Sequence, residues 1–311
     1  MALLIDIGMS GWTTAEKLAE ELLDITPGAD IRASIDDGDP SEITMLATAT
    51  LTPDLPAKLP GLKLVQKLGA GVDTIVNHPA LGADVRVTRL KPLQPAQEIA
   101  EYCLAYVLRG QRNMVFHDAE QRAARWTPVE PREAHKTRVG VLGLGHIGGL
   151  TARLMTQMGY EVHGWARSPR QIEGVTCHAG QDALKPMLAD CDYVCAILPS
   201  TAETRGLFDT DMLAAMKPGA TLINAGRGDL VVEPALMAAL EAGTPGHAVL
   251  DVVSEEPLPS DNPLWKHPGV TITPHVSGWH LGDALKDVAE NFRRLSAGED
   301  LLHEVDRTRG Y

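Results

Sequence analysis

The sequence predicts an α/β protein of two lobes, the larger of them a doubly wound parallel sheet. Three observations carry this expectation: a length of 311 residues, short apolar runs alternating with helix-period segments, and a glycine-rich turn at 143–148 set between an apolar strand and a helix. A chain of this length exceeds what one hydrophobic core usually organises, so two lobes are the natural division. Hydrophobic residues make up 44% and charged residues 22%, as in an ordinary globular protein rather than a disordered one.

Charge and composition exclude several function classes. The net charge of -13, from 28 basic and 41 acidic residues, repels phosphate backbones and anionic lipid, so neither nucleic acid nor a membrane surface is expected as partner. The first residues, Met-Ala-Leu-Leu-Ile-Asp-Ile, carry an aspartate within the apolar run and no preceding positive charge; they read as a buried strand rather than a signal peptide. No apolar stretch approaches the roughly 20 residues needed to span a bilayer. Cys103, Cys177, Cys191 and Cys195 have neither the number nor the spacing of a disulfide framework or zinc site, and no metal is expected. A reducing cytoplasm is the expected setting.

Taken in order, residues 3–7, 43–47, 63–68 and 85–88 read as strands, and 13–23 has helical spacing; together they make a small α/β unit with a parallel sheet. An amphipathic helix follows over about 96–109, with Ile99, Tyr102, Cys103, Tyr106 and Val107 on one face. A second series begins at Arg138, with strands expected at 138–142, 161–166, 193–198, 221–224, 248–252 and 270–273. Glycine- and proline-marked turns such as Lys217-Pro218-Gly219 separate them. The helix over about 283–295, with Leu285, Val288, Ala289, Phe292 and Leu295 on one face, is expected to return to the first lobe. That makes the first lobe discontinuous, 1–96 with 283–311, around a second lobe at 97–282.

The turn at 143–148 reads Gly143-Leu144-Gly145-His146-Ile147-Gly148. A lone G-x-G-x-x-G is weak evidence, but this one leaves an apolar strand and opens a helix, as a dinucleotide site requires. Gly143 permits the turn, Gly145 lets the backbone approach a pyrophosphate, Gly148 allows close helix–strand packing, and the helix N-terminus supplies free N–H groups. The second lobe is thus expected to be a Rossmann-type cofactor domain. The end of its second strand, where a carboxylate would bind the ribose 2′-hydroxyl of NAD, reads Arg167-Ser168-Pro169-Arg170 instead. Arg167, Arg170 and the Ser168 hydroxyl suit a 2′-phosphate, so NADP (NADPH) is the preferred cofactor, with NAD also possible. Leu198 and Pro199, at the end of another strand, are expected to line the nicotinamide or its ribose. Ala225 belongs with them, and Asp251 is a candidate acceptor for the carboxamide.

Arg227, Glu256 and His275 follow strands at the carboxyl-end positions where open α/β sheets bind ligands. Each alone is more often an ordinary polar residue. With Leu68-Gly69-Ala70-Gly71-Val72-Asp73, Asn262-Pro263-Leu264-Trp265 and the C-terminal residues 305–311, they resemble the D-isomer specific 2-hydroxyacid dehydrogenase family, in particular its glyoxylate/hydroxypyruvate reductase A branch, over nearly the whole chain.

The resemblance implies an oxidoreductase that reduces a small 2-oxo acid, of glyoxylate or hydroxypyruvate type, to the D-2-hydroxy acid. His275 is expected to be the general acid, since imidazole can both donate and accept a proton. Glu256, directly before Pro257, is expected to pair with it in preference to Glu255. Arg227 is expected to bind the substrate carboxylate and keto oxygen. The resemblance also implies that backbone N–H groups near Ala70 and Gly71 grip the carboxylate, and that the first lobe is a flavodoxin-like substrate domain facing the cofactor domain across an active-site cleft; Trp279 is a further candidate at the substrate. A homodimer is implied, with the segment 113–132, carrying Trp126 and Pro128, as a contact.

Three stretches depart from the branch. The strand around Thr44 to Thr48 lacks a bulky aromatic, Trp279 and His280 stand where smaller residues are usual, and Arg89-Leu90-Lys91-Pro92-Leu93-Gln94 replaces a glycine-containing loop. A dehydrogenase for a bulkier 2-oxo acid is therefore an alternative, because a pocket discriminates one methylene by only about 1–3 kcal/mol. A related dehydrogenase using formate or phosphite is a further alternative; the glutamate at 256, where formate dehydrogenases carry glutamine, argues against it. A nucleotide-sensing, partner-binding protein of the same fold is the alternative from another class.

Overall fold

The computed structural model describes residues 1–8, 13–76 and 78–307, and divides into two units: Met1–Pro95 with Trp279–Tyr311, and Ala96–Gly278. Residues 308–311, part of the C-terminal motif, lie outside the described residues.

The first unit holds a five-stranded parallel sheet: β1 (Ala2–Asp6), β2 (Ile31–Arg32), β3 (Ile43–Thr48), β4 (Leu64–Lys67) and β5 (Arg86–Thr88), in the order β2-β1-β3-β4-β5. This is the flavodoxin-like order. A parallel sheet must be covered on both faces, and the alternating side chains divide accordingly. Leu3, Ile5, Met45, Ala47 and Leu64 pack with Leu18 and Leu22 of α1 (Ala15–Ile25) and with Leu285, Val288 and Phe292 of the C-terminal helix Ala284–Ala297. Ala2, Leu4, Ile43, Leu46 and Val65 pack on the other side with Ile75, Val76 and Val305. Helix α1 starts at Ala15, two residues later than its periodicity suggests, because the Thr14 hydroxyl caps it, accepting from the Lys17 N–H. Buried Gln66 accepts from the Thr88 hydroxyl at 2.7 Å and from Asn291 at 2.8 Å, tying the C-terminal helix to the sheet.

The second unit holds seven parallel strands: β6 (Arg138–Leu142), β7 (Glu161–Ala166), β8 (Val175–Ala179), β9 (Tyr193–Ala196), β10 (Thr221–Asn224), β11 (His247–Leu250) and β12 (Val270–Ile272). Their order is β12-β11-β10-β9-β6-β7-β8. The direction of winding reverses between β6 and β9, the switch point at whose carboxyl ends doubly wound sheets bind ligands. One face packs Val139, Val141, Val162, Ile223 and Val249 against Cys103, Val107, Ala152 and Met155; the other packs Leu142, Val194, Leu222 and Leu250 against Leu184, Leu213, Leu236 and Leu240. Each such buried aliphatic side chain contributes roughly 1.5–3 kcal/mol.

Strands β9, β11 and β12 end at Ala196, Leu250 and Ile272, each shorter than its apolar run suggests. Leu198, Asp251 and Thr273 therefore lie in the loops beyond the sheet, where side chains can turn toward a ligand. Helix Leu93–Gln111 runs two or three residues further at each end than its periodic face. The four cysteines are all free, and no helix among the described residues is long and apolar enough to cross a membrane.

Candidate active site

Beyond β6, the chain turns at Gly143, whose φ of 97° only glycine adopts freely. The helix His146–Gln157 then begins, with Gly145 as its N-cap and no side-chain cap on the first turn. The three glycines are required for different reasons. A Cβ on Gly148 would lie 1.7 Å from the Gly143 carbonyl oxygen, and one on Gly143 would lie 2.4 Å from that of Ile197. A Cβ on Gly145 would meet nothing within 4 Å. Packing therefore does not call for glycine there, and a helix N-terminus whose N-cap residue has no side chain is what a pyrophosphate fits. Leu144 is buried against Gly164, Ile147 is half-buried, and His146 is exposed.

Arg167, Ser168 and Arg170 are exposed on the turn directly after β7. The Arg167 guanidinium donates to Glu203, in the loop after β9, at 2.8 Å. Of the expected cofactor residues beyond β9 and β10, Leu198 and Ala225 are buried and Pro199 is exposed. No metal cluster occurs among the described residues.

Arg227 sits in extended conformation between two tightly packed glycines. A Cβ on Gly226 would lie 2.8 Å from the Leu198 carbonyl oxygen, and one on Gly228 would lie 1.9 Å from that of Val253. The turn is tied down by Asn224, whose side chain accepts from the Gly226 N–H at 3.1 Å and donates to the Arg227 carbonyl at 2.8 Å. Arg227 is half-buried, and its own guanidinium donates to the Gly226 carbonyl at 2.7 Å.

His275 and Glu256 meet beside it: Nδ1 of His275 lies 2.8 Å from Oε2 of Glu256, while Oε1 accepts from the Val253 N–H at 3.1 Å. It is Glu256, not its neighbour Glu255, that makes this pair. Burial would raise the Glu256 carboxyl, but the His275 hydrogen bond and charge, the Val253 N–H and the charge of Arg227 together hold it below the usual carboxylate value. His275 has φ 55°, in the left-handed region. Its N–H donates to the Asp251 carbonyl at 2.8 Å and the Thr273 carbonyl at 3.0 Å.

Asp251 organises this loop. It is 2% exposed; Oδ1 accepts from the Thr273 hydroxyl at 2.6 Å and the Val276 N–H at 2.9 Å, and Oδ2 from the Ser277 N–H at 2.9 Å. The Thr273 proton is thus committed to Asp251, so the 2.7 Å contact between Thr273 and Tyr102 is a donation from the phenol. Burial, opposed by the Thr273 hydrogen bond and aided by the charge of Asp251, pushes the Tyr102 phenol far up, keeping it protonated. Periodicity places Tyr102 only on an apolar helix face. This link to Thr273, and the ion pair of Glu203, have no local sequence signal.

The structure brings Arg227, Glu256, His275 and Asp251 together in the second unit. Ala70 and Gly71 lie in the first unit, on the half-buried loop between β4 and the short helix Asp73–Val76, where the Gly69 carbonyl accepts from the Leu90 N–H at 2.9 Å. Trp279, also in the first unit, is 42% exposed. Met45, Leu46 and Ala47, in the stretch expected to carry an aromatic in the branch, are core residues of the first sheet.

The family model for the NAD-binding domain of D-isomer specific 2-hydroxyacid dehydrogenases matches residues 104–277. The glyoxylate/hydroxypyruvate reductase A of Yersinia enterocolitica is 38% identical over 256 residues, covering 80% of this chain and 82% of that protein. Among solved structures, a D-isomer specific 2-hydroxyacid dehydrogenase from Xanthobacter autotrophicus Py2 in complex with NADPH and MES is 40% identical, with TM-score 0.92 over 100% of this chain and 99% of that one. An NADPH-dependent glyoxylate/hydroxypyruvate reductase from Sinorhizobium meliloti in complex with NADP and sulfate is 30% identical, with TM-score 0.91 over 100% and 99%.

Proposed function

The chain belongs to the D-isomer specific 2-hydroxyacid dehydrogenase family, and from that premise we propose that it reduces a small 2-oxo acid, of glyoxylate or hydroxypyruvate type, to the D-2-hydroxy acid with NADPH. The observation that carries the reading is the 2.8 Å His275–Glu256 pair, close enough to Arg227 for its charge to act on Glu256. The turn from Gly143 to Gly148 would hold NADPH, with Arg167, Ser168 and Arg170 at its 2′-phosphate, and the nicotinamide would supply the hydride. The relatives crystallised with NADPH or NADP support that choice. Leu198, Pro199, Ala225 and Asp251 are the remaining cofactor-side residues.

As negative charge develops on the carbonyl oxygen, His275 releases a proton to it from Nε2, the nitrogen turned away from Glu256. Glu256 holds the Nδ1–H, fixes the tautomer and stabilises the charged ring. Arg227 remains charged throughout, binds the substrate carboxylate and stabilises the developing oxyanion. In the first unit, Ala70 and Gly71, through backbone N–H groups suited to a carboxylate, and Trp279 are the proposed substrate-binding residues.

A homodimer fits the apolar surface of the segment 113–132: Trp126 is 98% exposed, with Met114, Val115, Phe116 and Val129 exposed nearby in sequence. A cytoplasmic setting suits the free cysteines. The experiment is a screen of 2-oxo acids against NADPH and NADH. Turnover of glyoxylate or hydroxypyruvate, faster with NADPH, is expected. A preference for larger 2-oxo acids would reassign the substrate, and tight nucleotide binding without turnover would point to a sensor.

A further inference from the structure

The Arg167–Glu203 ion pair carries an inference about cofactor choice that rests on the reading of Arg167 as a 2′-phosphate ligand. Arg167 follows β7 immediately, and Glu203 lies in the loop beyond β9. These strands flank β6 on either side. The 2.8 Å pair therefore reaches across the carboxyl end of β6, over the side of the glycine turn where the adenosine half of a dinucleotide belongs. Both side chains are 60% exposed, so the contact adds little to folding.

Its loop nevertheless holds Glu203 in place. The Thr201 N–H donates to the Thr204 hydroxyl at 2.8 Å, that hydroxyl donates to the Pro199 carbonyl at 2.6 Å, and the Arg205 N–H donates to the Thr201 carbonyl at 3.0 Å. One turn further, the Gly206 N–H donates to the Asp229 carbonyl at 2.8 Å. The neighbouring charges, Arg205 and Asp229, pair with each other at 3.4 Å.

We propose that Glu203 is the internal counter-ion of the phosphate-binding arginine and a second determinant of dinucleotide choice, tempering the preference for NADPH. A 2′-phosphate must take the guanidinium from Glu203 and then sit near its carboxylate, so both the exchange and the repulsion act against NADPH. NADH meets neither. Its ribose 2′-hydroxyl can instead donate to Glu203, which replaces the carboxylate missing from the end of β7. Arg167 and Glu203 thus pull the selectivity in opposite directions.

The test is direct binding of NADPH, NADH, 2′,5′-ADP and 5′-AMP to the wild type, Glu203→Gln and Arg167→Ala, by calorimetry, with thermal melts confirming that both variants fold. Glu203→Gln is expected to tighten NADPH and 2′,5′-ADP about two- to fivefold while leaving NADH and 5′-AMP unchanged or weaker, so that the preference widens. Arg167→Ala is expected to weaken only the phosphorylated pair. If Arg167→Ala weakens them but Glu203→Gln leaves the NADPH to NADH ratio unchanged or narrows it, the role of Glu203 is overturned. If Arg167→Ala has no effect, the phosphate reading of Arg167 falls, and the proposal with it.

Discussion

Oε2 of Glu256 stands 2.8 Å from Nδ1 of His275, and the two residues come from loops that Asp251 secures together. Asp251 begins the loop that leads to Glu256, and its carboxylate binds the backbone just after His275. The pair is thus positioned from behind by a buried anion while it faces outward itself.

Glu256→Gln keeps the size of the side chain and removes its charge. The expected result is a fall in kcat of about 10²-fold or more, with little change in the dissociation constant for NADPH. Stopped-flow turnover and equilibrium titration separate the two.

The same pair has a defined pH window. The folded Glu256 carboxyl lies below its unfolded value of about 4.3, so its contribution to stability is fully present above that value and is lost as pH falls through the lower, folded one. Urea midpoints measured from about pH 6 to pH 3 should show the wild type losing its advantage over Glu256→Gln at the acid end. With the pair partly exposed, the difference is expected to be small. A constant difference at all pH values would show that the charge plays no part.

Thr273→Val removes the donor to Asp251 and leaves the Tyr102 hydroxyl without its acceptor. An unsatisfied buried polar group costs about 1–3 kcal/mol, and the denaturation midpoint should fall accordingly. Because the loop holding His275 loosens, kcat should fall while Thr273→Ser restores it. A lowered midpoint with unchanged kcat would make the network structural only.

The glycines of the turn separate fold from function. Gly145→Ala meets no atom within 4 Å, so the melting temperature should hold, while affinity for NADPH falls about tenfold or more as the methyl group fills the space of the pyrophosphate. Gly148→Ala, 1.7 Å from a backbone oxygen, should not fold.

How much of this was legible in the sequence follows from the range of each signal. Strands β6, β7 and β10 match their apolar runs because both faces of a parallel sheet are buried. The edge strands β5 and β12 were legible, but β2 and β8 were not: β2 is two residues long, and β8, Val-Thr-Cys-His-Ala, lies at the rim with none of its residues fully buried. Arg227, Glu256 and His275 stood out because each follows a strand in a distinctive local context. Asp251 was legible only as a residue beside the cofactor; its hold on Val276 and Ser277, like the link from Tyr102 to Thr273, joins distant positions that no spacing announces.

The most direct test of the central claim is NADPH-dependent reduction of glyoxylate by wild type and His275→Ala side by side, with NADPH binding measured on both. Turnover by the wild type is expected, with a loss of about 10²–10⁴-fold in kcat for His275→Ala at unchanged NADPH affinity. Near wild-type kcat in the variant would contradict it.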